Sequence, residues 1–348
     1  MVILGIDAHK HNHTVVAIDD RGRKLAEHTT GTTSEDDLAL LEWASKLDSE
    51  RLWAVEDCRQ LSRRLERDLL GAGETIVRVP PKLLAHSRDS ARTYGKSDPI
   101  DALAVARAAL REPNLPTARL DGPSREVQLL ITHRDHLVAE RTRIINRLRW
   151  HLHEIDPSLH VPLRSIWRPK HLHAVTRRLQ SEDGLVARLA LDLTVRCERL
   201  TIDIKAIDAE LDALITPLAP TLLAVHGVGT LIAAKLIAET ADVRRFKSKD
   251  AYARHNGTAP LPVWSGNKTR HRLSRTGNRQ LNTCLHRIAI TQAKSHDGAR
   301  ALLERRRAGG DSKSESIRVL KRRLSDVVYH ALLHDAHAAQ MPVVALAA

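Results

Sequence analysis

Four carboxylates and one serine are the residues whose types and spacing suit chemistry in this chain. Asp7 closes the apolar run "VILGID" (2–7), and Glu56 closes "RLWAVE" (51–56). Asp98 and Asp101 flank Pro99 and open the helical stretch "KSDPIDALAVARAAL". In an open α/β sheet the strand C-termini share one edge, and ligands bind there. Asp98 as helix N-cap and Asp101 at the third helical position would put both carboxylates at that helix's exposed end. Four such groups in one place repel one another unless a hard divalent cation neutralises them. Mg²⁺ suits carboxylates combined with substrate phosphates. Two ions roughly 4 Å apart would activate an attacking oxygen and stabilise a leaving one in phosphoryl transfer. Taken singly, Asp98-x-x-Asp101 reads equally as a capping arrangement and Asp7 as a strand end. Their joint order along the chain is what points to a metal.

The serine heads a basic stretch, "VWSGNKTRHRLSRTGNRQLN" (263–282). Ser265 is followed by Lys268, Arg270, Arg272, Arg275 and Arg279, with Asn267, Thr269, Thr276 and Asn278 as further phosphate donors. A serine hydroxyl attacks phosphorus only with a base or a cation-rich field to stabilise the charge that develops. This stretch supplies the field. Ser274 is a rival nucleophile inside the run, and the whole stretch also reads as a phosphate grip in which no serine attacks. A third feature, "VHGVGTLIAAKLIAET" (225–240), places Gly227 and Gly229 between helical segments. It resembles a helix–hairpin–helix, whose turn amides contact a phosphate, or two glycines closing a helix turn. The "HKHNH" run (9–13) beside Asp7 reads as a solvated loop, because no second cluster completes a zinc set. Trp150, Trp167 and Trp264 have faces suited to base stacking, but core packing is the plainer expectation.

The elements that must position these residues follow from pattern. Runs 2–7, 13–19 and 24–30 are short β-type segments in hairpins, with a turn at "DDRGR". A helix over 35–47 capped by Ser34, a strand at 51–56, a helix over 59–71 and a strand at 75–79 complete a mixed sheet with helices. "EPNLPTARLDGPS" (112–124) reads as a linker. From 125 to 155 runs a basic helix with Leu130, Leu137, Ile144, Leu148 and Leu152 on one side and Arg141, Arg143, Arg147 and Arg149 around them. Apolar positions from Val186 through Ala190, Leu193, Cys197, Leu200, Ile204, Ile207 and Leu211 to Leu214 repeat at alternating four- and three-residue steps, a coiled-coil seam. Its partner is the 125–155 helix of the same chain, a second protomer, or both. Residues 221–300 read as a compact, helical, basic domain, and 301–340 as a helical basic tail. The fold class is α/β plus all-α, in three segments: 1–120, 121–217 and 218–348.

Composition agrees with a polyanion partner. The 348 residues hold 55 Lys plus Arg against 42 Asp plus Glu, a net +13, and 20 histidines add latent positive charge. An apolar fraction of 42% argues against wholesale disorder. No apolar run approaches the roughly 18 residues of a membrane span, and Asp7 breaks the first run too early for a signal peptide. Cys58, Cys197 and Cys284 are far apart with no CxxC, which fits a reducing cytoplasm, near the nucleoid if DNA is the partner.

With these residues assembled, the sequence resembles the insertion-sequence-110 transposases, which include the Piv DNA invertases. "GIDAHKHNHTVVAID", "VED" around Glu56 and "GKSDPIDALAVA" are similar to that family's RuvC-like (RNase H-like) DEDD domain. The stretch from "LLAVHGVGTLIAAKLIAET" to "SGNKTRHRLSRTGNRQLN" is similar to its C-terminal transposase domain. The resemblance implies that Asp7, Glu56, Asp98 and Asp101 hold Mg²⁺ and that Ser265 forms a covalent link to cleaved DNA. It implies a composite site between protomers of a homo-oligomer, dimer or tetramer. It also implies a structured bridge RNA that pairs with target and donor DNA. One departure is Asp57-Cys58-Arg59, where many members carry a small, glycine-containing stretch. It leaves Glu56 and Asp57 as rivals for the metal, with the motif favouring Glu56. A RuvC-like endonuclease using water, and a non-catalytic nucleic-acid-binding protein, are the competing functions.

Overall fold

The computed structural model describes residues 1–56, 61–81, 83–84, 97–112, 115–118, 122–159, 165–265, 268–272 and 277–339, with backbone alone at 263–265 and 268–272. They form two compact units, Met1–Asp121 and Gly122–Ala348.

The first unit is built on a five-stranded sheet. Strands β1 (Val2–Ala8), β2 (His13–Ile18) and β3 (Lys24–Thr30) pair antiparallel; β4 (Arg51–Glu56) and β5 (Ile76–Val79) add in parallel on the other side of β1. The order is β3-β2-β1-β4-β5. β1 is buried along its length, whereas β3 shows largely exposed residues at the edge, as their apolar and polar compositions require. Helices α1 (Ser34–Ser45) and α2 (Arg63–Gly71) cover one face, packing Leu40 and Leu65 against Leu4, Ile6, Trp53 and Val55. Helix α3 (Asp98–Arg111) covers the other, placing Ala102, Val105, Ala106 and Ala109 against Ile3, Val16, Ile18 and Ala54. Alternation along β1 thus sends Leu4 and Ile6 to the α1/α2 face and Ile3, Gly5 and Asp7 to the α3 face.

Both expected caps shift by one residue. Thr33, not Ser34, caps α1, because Asp36 reaches back to the Thr33 N–H (3.0 Å) while Thr33 Oγ1 accepts from the Asp36 N–H (3.2 Å). Ser97, not Asp98, is the N-cap of α3, since its carbonyl accepts from the Ile100 and Asp101 amides at 3.0 and 3.1 Å. Asp98 is therefore the first helical residue and Asp101 the fourth. Pro99 at the second position fits, because the N–H it lacks would find no helical acceptor there.

The second unit is almost wholly helical. Helices α4 (Pro123–Ile155) and α6 (Leu185–Leu218) run antiparallel: Arg134 pairs with Asp208, and Arg141 donates to Thr201 Oγ1 at 3.2 Å. Ala190, Leu193, Cys197, Leu200, Ile204, Ile207 and Leu211 are buried along that seam, so it is filled within one chain. One end is closed by α5 (Pro169–Leu179) through Leu172, Val175 and Leu179. At the other end Val127, Ile131, Ile207, Leu211 and Ile215 share a core with the C-terminal helices. The 121–217 segment therefore shares its packing with residues 218–339.

Those helices are α7 (Pro220–Leu223), α8 (Thr230–Thr240), α9 (Lys249–His255), α10 (Arg279–Ser295), α11 (Asp297–Ala308) and α12 (Lys313–Ala338). Tyr252, Leu281, Leu285, Ile288, Leu324 and Val328 sit at their centre. The sequence reading missed a hairpin of β6 (Leu261–Ser265) and β7 (Lys268–Arg272) inside this unit. Its second strand is Lys-Thr-Arg-His-Arg, which has no apolar alternation to announce it. Among the described residues no helix is long and apolar enough to cross a membrane.

Candidate active site

The chemistry-bearing residues of the first unit gather where β1 and β4 end and α3 begins. Asp7 is buried on the α3 face of β1. The parallel register sets Ile6 against Val55, and one further step sets Asp7 against Glu56. Facing residues of adjacent strands project to the same side, so Glu56, half-buried at the end of β4, shares the face of Asp7. Asp57 and Cys58 lie outside the described residues.

From above, α3 delivers Asp98 and the buried Asp101. The approach is close because Gly5 has no side chain: a Cβ there would stand 2.2 Å from the Ala102 carbonyl oxygen and 2.4 Å from the Ala106 nitrogen. Burial pushes the Asp7 carboxyl above the usual carboxylate range; His9 opposes this, and the charges of Asp101 and Asp98 add to it. Those like charges in a desolvated place are the electrostatics a cation would relieve.

A histidine of the polar run beside Asp7 joins these carboxylates. His9 Nε2 lies 3.0 Å from Asp7 Oδ2 and 3.4 Å from Asp98 Oδ1. Asp7, His9 and Asp98 each offer a ligand atom within 4.8 Å of the other two. The run at 9–13 is a polar turn, as expected, but its first histidine faces two carboxylates. Residues two apart on extended backbone point the same way, and Asp7-x-His9 straddles the end of β1. His11 of the same run is exposed, and His13 is buried on β2. The donor set of Asp7, Asp98, Asp101, Glu56 and His9 fits a divalent metal in chemistry and charge.

The serine lies in the second unit. Ser265 ends β6 and pairs in register with Lys268, the first residue of β7, so a two-residue connection separates them. Arg270 and Arg272 follow on β7. The hairpin's neck is tied: the Asn278 N–H donates to the His255 carbonyl at 2.7 Å, and Gly277 (φ +109°) lies against Gly257 too closely for any Cβ. Asn278 is not a spare phosphate donor, because its side chain caps α10 and donates to Glu239. Arg279 is exposed at the start of α10. Asn267, Ser274, Arg275 and Thr276 lie outside the described residues. Gly227 takes φ +88° in the turn before α8, and Gly229 is that helix's N-cap.

On α4, Arg143 and Arg147 are exposed. Arg141 is committed within the fold, stacked 4.6 Å from the Trp167 ring centroid and bonded to Thr201. Trp150 departs from the core-packing expectation at 74% exposure, because it lies outside the apolar stripe that α4 buries. Cys197 and Cys284 are buried and unbridged.

A mixed sheet of this order, with acidic side chains at the ends of its two central strands and at the head of the covering helix, is the architecture expected of an RNase H-like domain. Residues 4–157 match the transposase family typified by the IS110 DEDD domain, and residues 219–304 match the transposase family IS116/IS110/IS902. The chain belongs to the IS110 family of transposases. It is similar to the "Insertion element IS116 uncharacterized 44.8 kDa protein" of Streptomyces clavuligerus, 27% identical over 95% of this chain and 94% of that protein. It is also similar to the "Insertion element IS900 uncharacterized 42 kDa protein" of Mycobacterium paratuberculosis, 26% identical over 99% of this chain and 98% of that protein. Among solved structures, T. thermophilus RuvC in complex with a Holliday junction substrate aligns with 34% of this chain and 99% of its own, at 14% identity and a TM-score of 0.28.

Proposed function

We propose that this chain cuts and rejoins DNA as the transposase of an insertion sequence, through a covalent serine–phosphate intermediate made at an Mg²⁺-dependent acidic centre. The observation that carries the proposal is the gathering of Asp7, Asp98 and the buried Asp101 at one end of the sheet, on the face Glu56 shares. Those four carboxylates would hold Mg²⁺, which when bound polarises a scissile phosphate and offsets its charge. Ser265 Oγ would attack the phosphorus, forming one P–O bond as the bond to a deoxyribose oxygen breaks; the serine proton leaves and the departing oxygen gains one. A hydroxyl from another strand then reverses the exchange, so bond energy is conserved and no nucleotide cofactor is consumed. Lys268, Arg270, Arg272, Arg275 and Arg279 would grip the phosphates flanking the serine. Gly227, Gly229, Arg143 and Arg147 would hold backbone further along.

In this proposal residues 1–120 supply the acidic centre, 121–217 help protomers assemble, and 218–348 deliver the serine. The centre would be completed between protomers of a dimer or tetramer. A bridge RNA from the element's ends would select target and donor DNA by base pairing, leaving the protein to read backbone and shape.

The test combines purified protein, transcribed RNA from the element's flanks and labelled junction DNA with Mg²⁺. A protein–DNA adduct is expected, lost in Ser265→Ala and in Asp7→Asn. An adduct that survives Ser265→Ala refutes the nucleophile. Cutting that never yields an adduct replaces this function with a water-using nuclease. Unchanged DNA binding and full in vivo activity of Asp7→Asn leave only a nucleic-acid-binding protein.

A further inference from the structure

We propose that His9 is a direct ligand of the divalent cation at the acidic centre, a nitrogen donor in an otherwise oxygen-based set. This rests on reading Asp7 and Asp98 as metal-holding residues, and it adds a specific consequence. A carboxylate-only set favours Mg²⁺, Ca²⁺ and Mn²⁺ alike, whereas imidazole adds affinity for first-row transition ions. The centre should therefore prefer Mn²⁺ or Co²⁺ to Mg²⁺ by more than its carboxylates alone would give.

Three observations support the assignment. The first is spacing. Donors roughly 2.1 Å from a common ion stand about 3 Å apart when they meet at right angles, and somewhat more at tetrahedral angles. His9 Nε2 lies 3.0 Å from one carboxylate oxygen and 3.4 Å from the other, the separations of neighbouring ligands. The second is convergence. The two carboxylates come from different elements, β1 and α3, and one imidazole nitrogen faces both. The third is how the ring is held. His9 follows directly on β1, and its N–H donates to the Asn12 carbonyl at 3.0 Å, closing the turn into β2, while Ala8 pairs with His13. The backbone that carries the imidazole is thus fixed by the central hairpin of the sheet, as a preorganised ligand requires.

The competing role for the ring is purely structural, with an imidazole N–H bridging two carboxylates and leaving whenever a metal arrives. The experiment separates the two without relying on catalysis. The full chain is titrated with MnCl₂, free ion is followed by electron paramagnetic resonance, and the bound ion is examined by electron spin echo envelope modulation. The expected result is a ¹⁴N coupling in the native protein that disappears in His9→Ala and in His9→Asp. In His9→Ala the Mn²⁺ dissociation constant should rise about tenfold or more. The Mg²⁺ constant, read by competition, should change much less, so the preference for Mn²⁺ falls. His9→Asp restores an oxygen donor and should recover part of the Mn²⁺ affinity without the nitrogen signal. It also controls for loss of fold.

Bound Mn²⁺ that is lost in Asp7→Asn but shows no ¹⁴N coupling in the native protein overturns the inference and leaves the proposed function standing. A coupling that persists in His9→Ala overturns it too. Mn²⁺ binding indifferent to both Asp7→Asn and Asp98→Asn removes the metal centre itself, and the inference with it.

Discussion

Gly5→Ala should disable the acidic centre without touching any of its side chains. The new Cβ would meet the Ala102 carbonyl oxygen at 2.2 Å and the Ala106 nitrogen at 2.4 Å. Ordinary contact between such atoms is roughly 3.4 Å, so α3 must lift from β1 by about 1 Å. Ala102 and Ala106 are one turn apart, so the displacement acts on a helix ridge and is not absorbed by one rotamer. Asp98 and Asp101 ride on the first turn of that helix, whereas Asp7 is fixed in β1. Metal ligands tolerate departures of about 0.2 Å, so a shift several times larger should weaken Mn²⁺ or Mg²⁺ binding by tenfold or more. Overpacking of this kind should also cost about 1–3 kcal/mol of stability. Calorimetric metal titration and equilibrium urea unfolding of the full chain measure the two effects. Because the two nearest atoms are backbone, a compensating Ala106→Gly should restore neither. Native metal affinity in Gly5→Ala, or rescue by Ala106→Gly, would refute the idea that this glycine sets the height of α3.

Other consequences are equally open to measurement. Asp37 Oδ1 and Oδ2 are buried with no hydrogen-bond partner, beside the Asp68 carboxyl. Burial, reinforced by Asp68, pushes the Asp37 carboxyl up to about 7. The folded state therefore binds the extra proton above the ordinary carboxylate range, and stability falls as pH rises from about 4 to about 7, then levels. Between pH 5 and pH 8 the loss should be about 2 kcal/mol by urea midpoints; Asp37→Asn should flatten the profile and exceed the native protein above pH 7. Asp335 is buried and accepts the Thr221 and Leu222 amides at 3.0 Å each, so Asp335→Ala should destabilise the chain by about 2–3 kcal/mol in the same assay. If Arg143 and Arg147 contact phosphates, alanine at each should lower the slope of log affinity against log salt by about 1 on mixed-sequence DNA. An unchanged slope excludes them from the interface.

Much of this molecule can be read from residue order, for reasons that differ by region. The first three strands announce themselves by short β-branched runs and a tight turn, and the covering helices by their periodicity. The α6 seam was visible in its four- and three-residue steps, but such spacing is silent on what fills it; in the structure the partner is α4 of the same chain. The β6–β7 hairpin escaped because a strand of alternating cations looks like a solvated loop until its partner is known. Cap positions slipped by one residue where two capping residues stand side by side, Thr33-Ser34 and Ser97-Asp98, and only the hydrogen bonds separate them. Strand alternation alone does not choose between Glu56 and Asp57; the pairing of β1 with β4 puts Glu56 on the side of Asp7. The run at 9–13 reads as a solvated loop because no second cluster along the sequence completes a zinc set; the partners His9 meets are carboxylates brought in by β1 and α3.

The two faces of the central sheet answer to different demands. Trp53, Leu40 and Leu65 lie on the side away from the carboxylates, and there the Trp53 indole N–H donates to Glu74 at 2.6 Å. A saturation screen that scores protein abundance and element mobility in parallel should separate packing from chemistry. Changes in the apolar core beneath any of the three helices should lower both scores together, whereas changes to the carboxylates at the head of the third should leave near-normal amounts of an inert protein. With the other four tryptophans replaced, that shielded, hydrogen-bonded indole also becomes an optical reporter, whose emission should shift only when the sheet itself gives way.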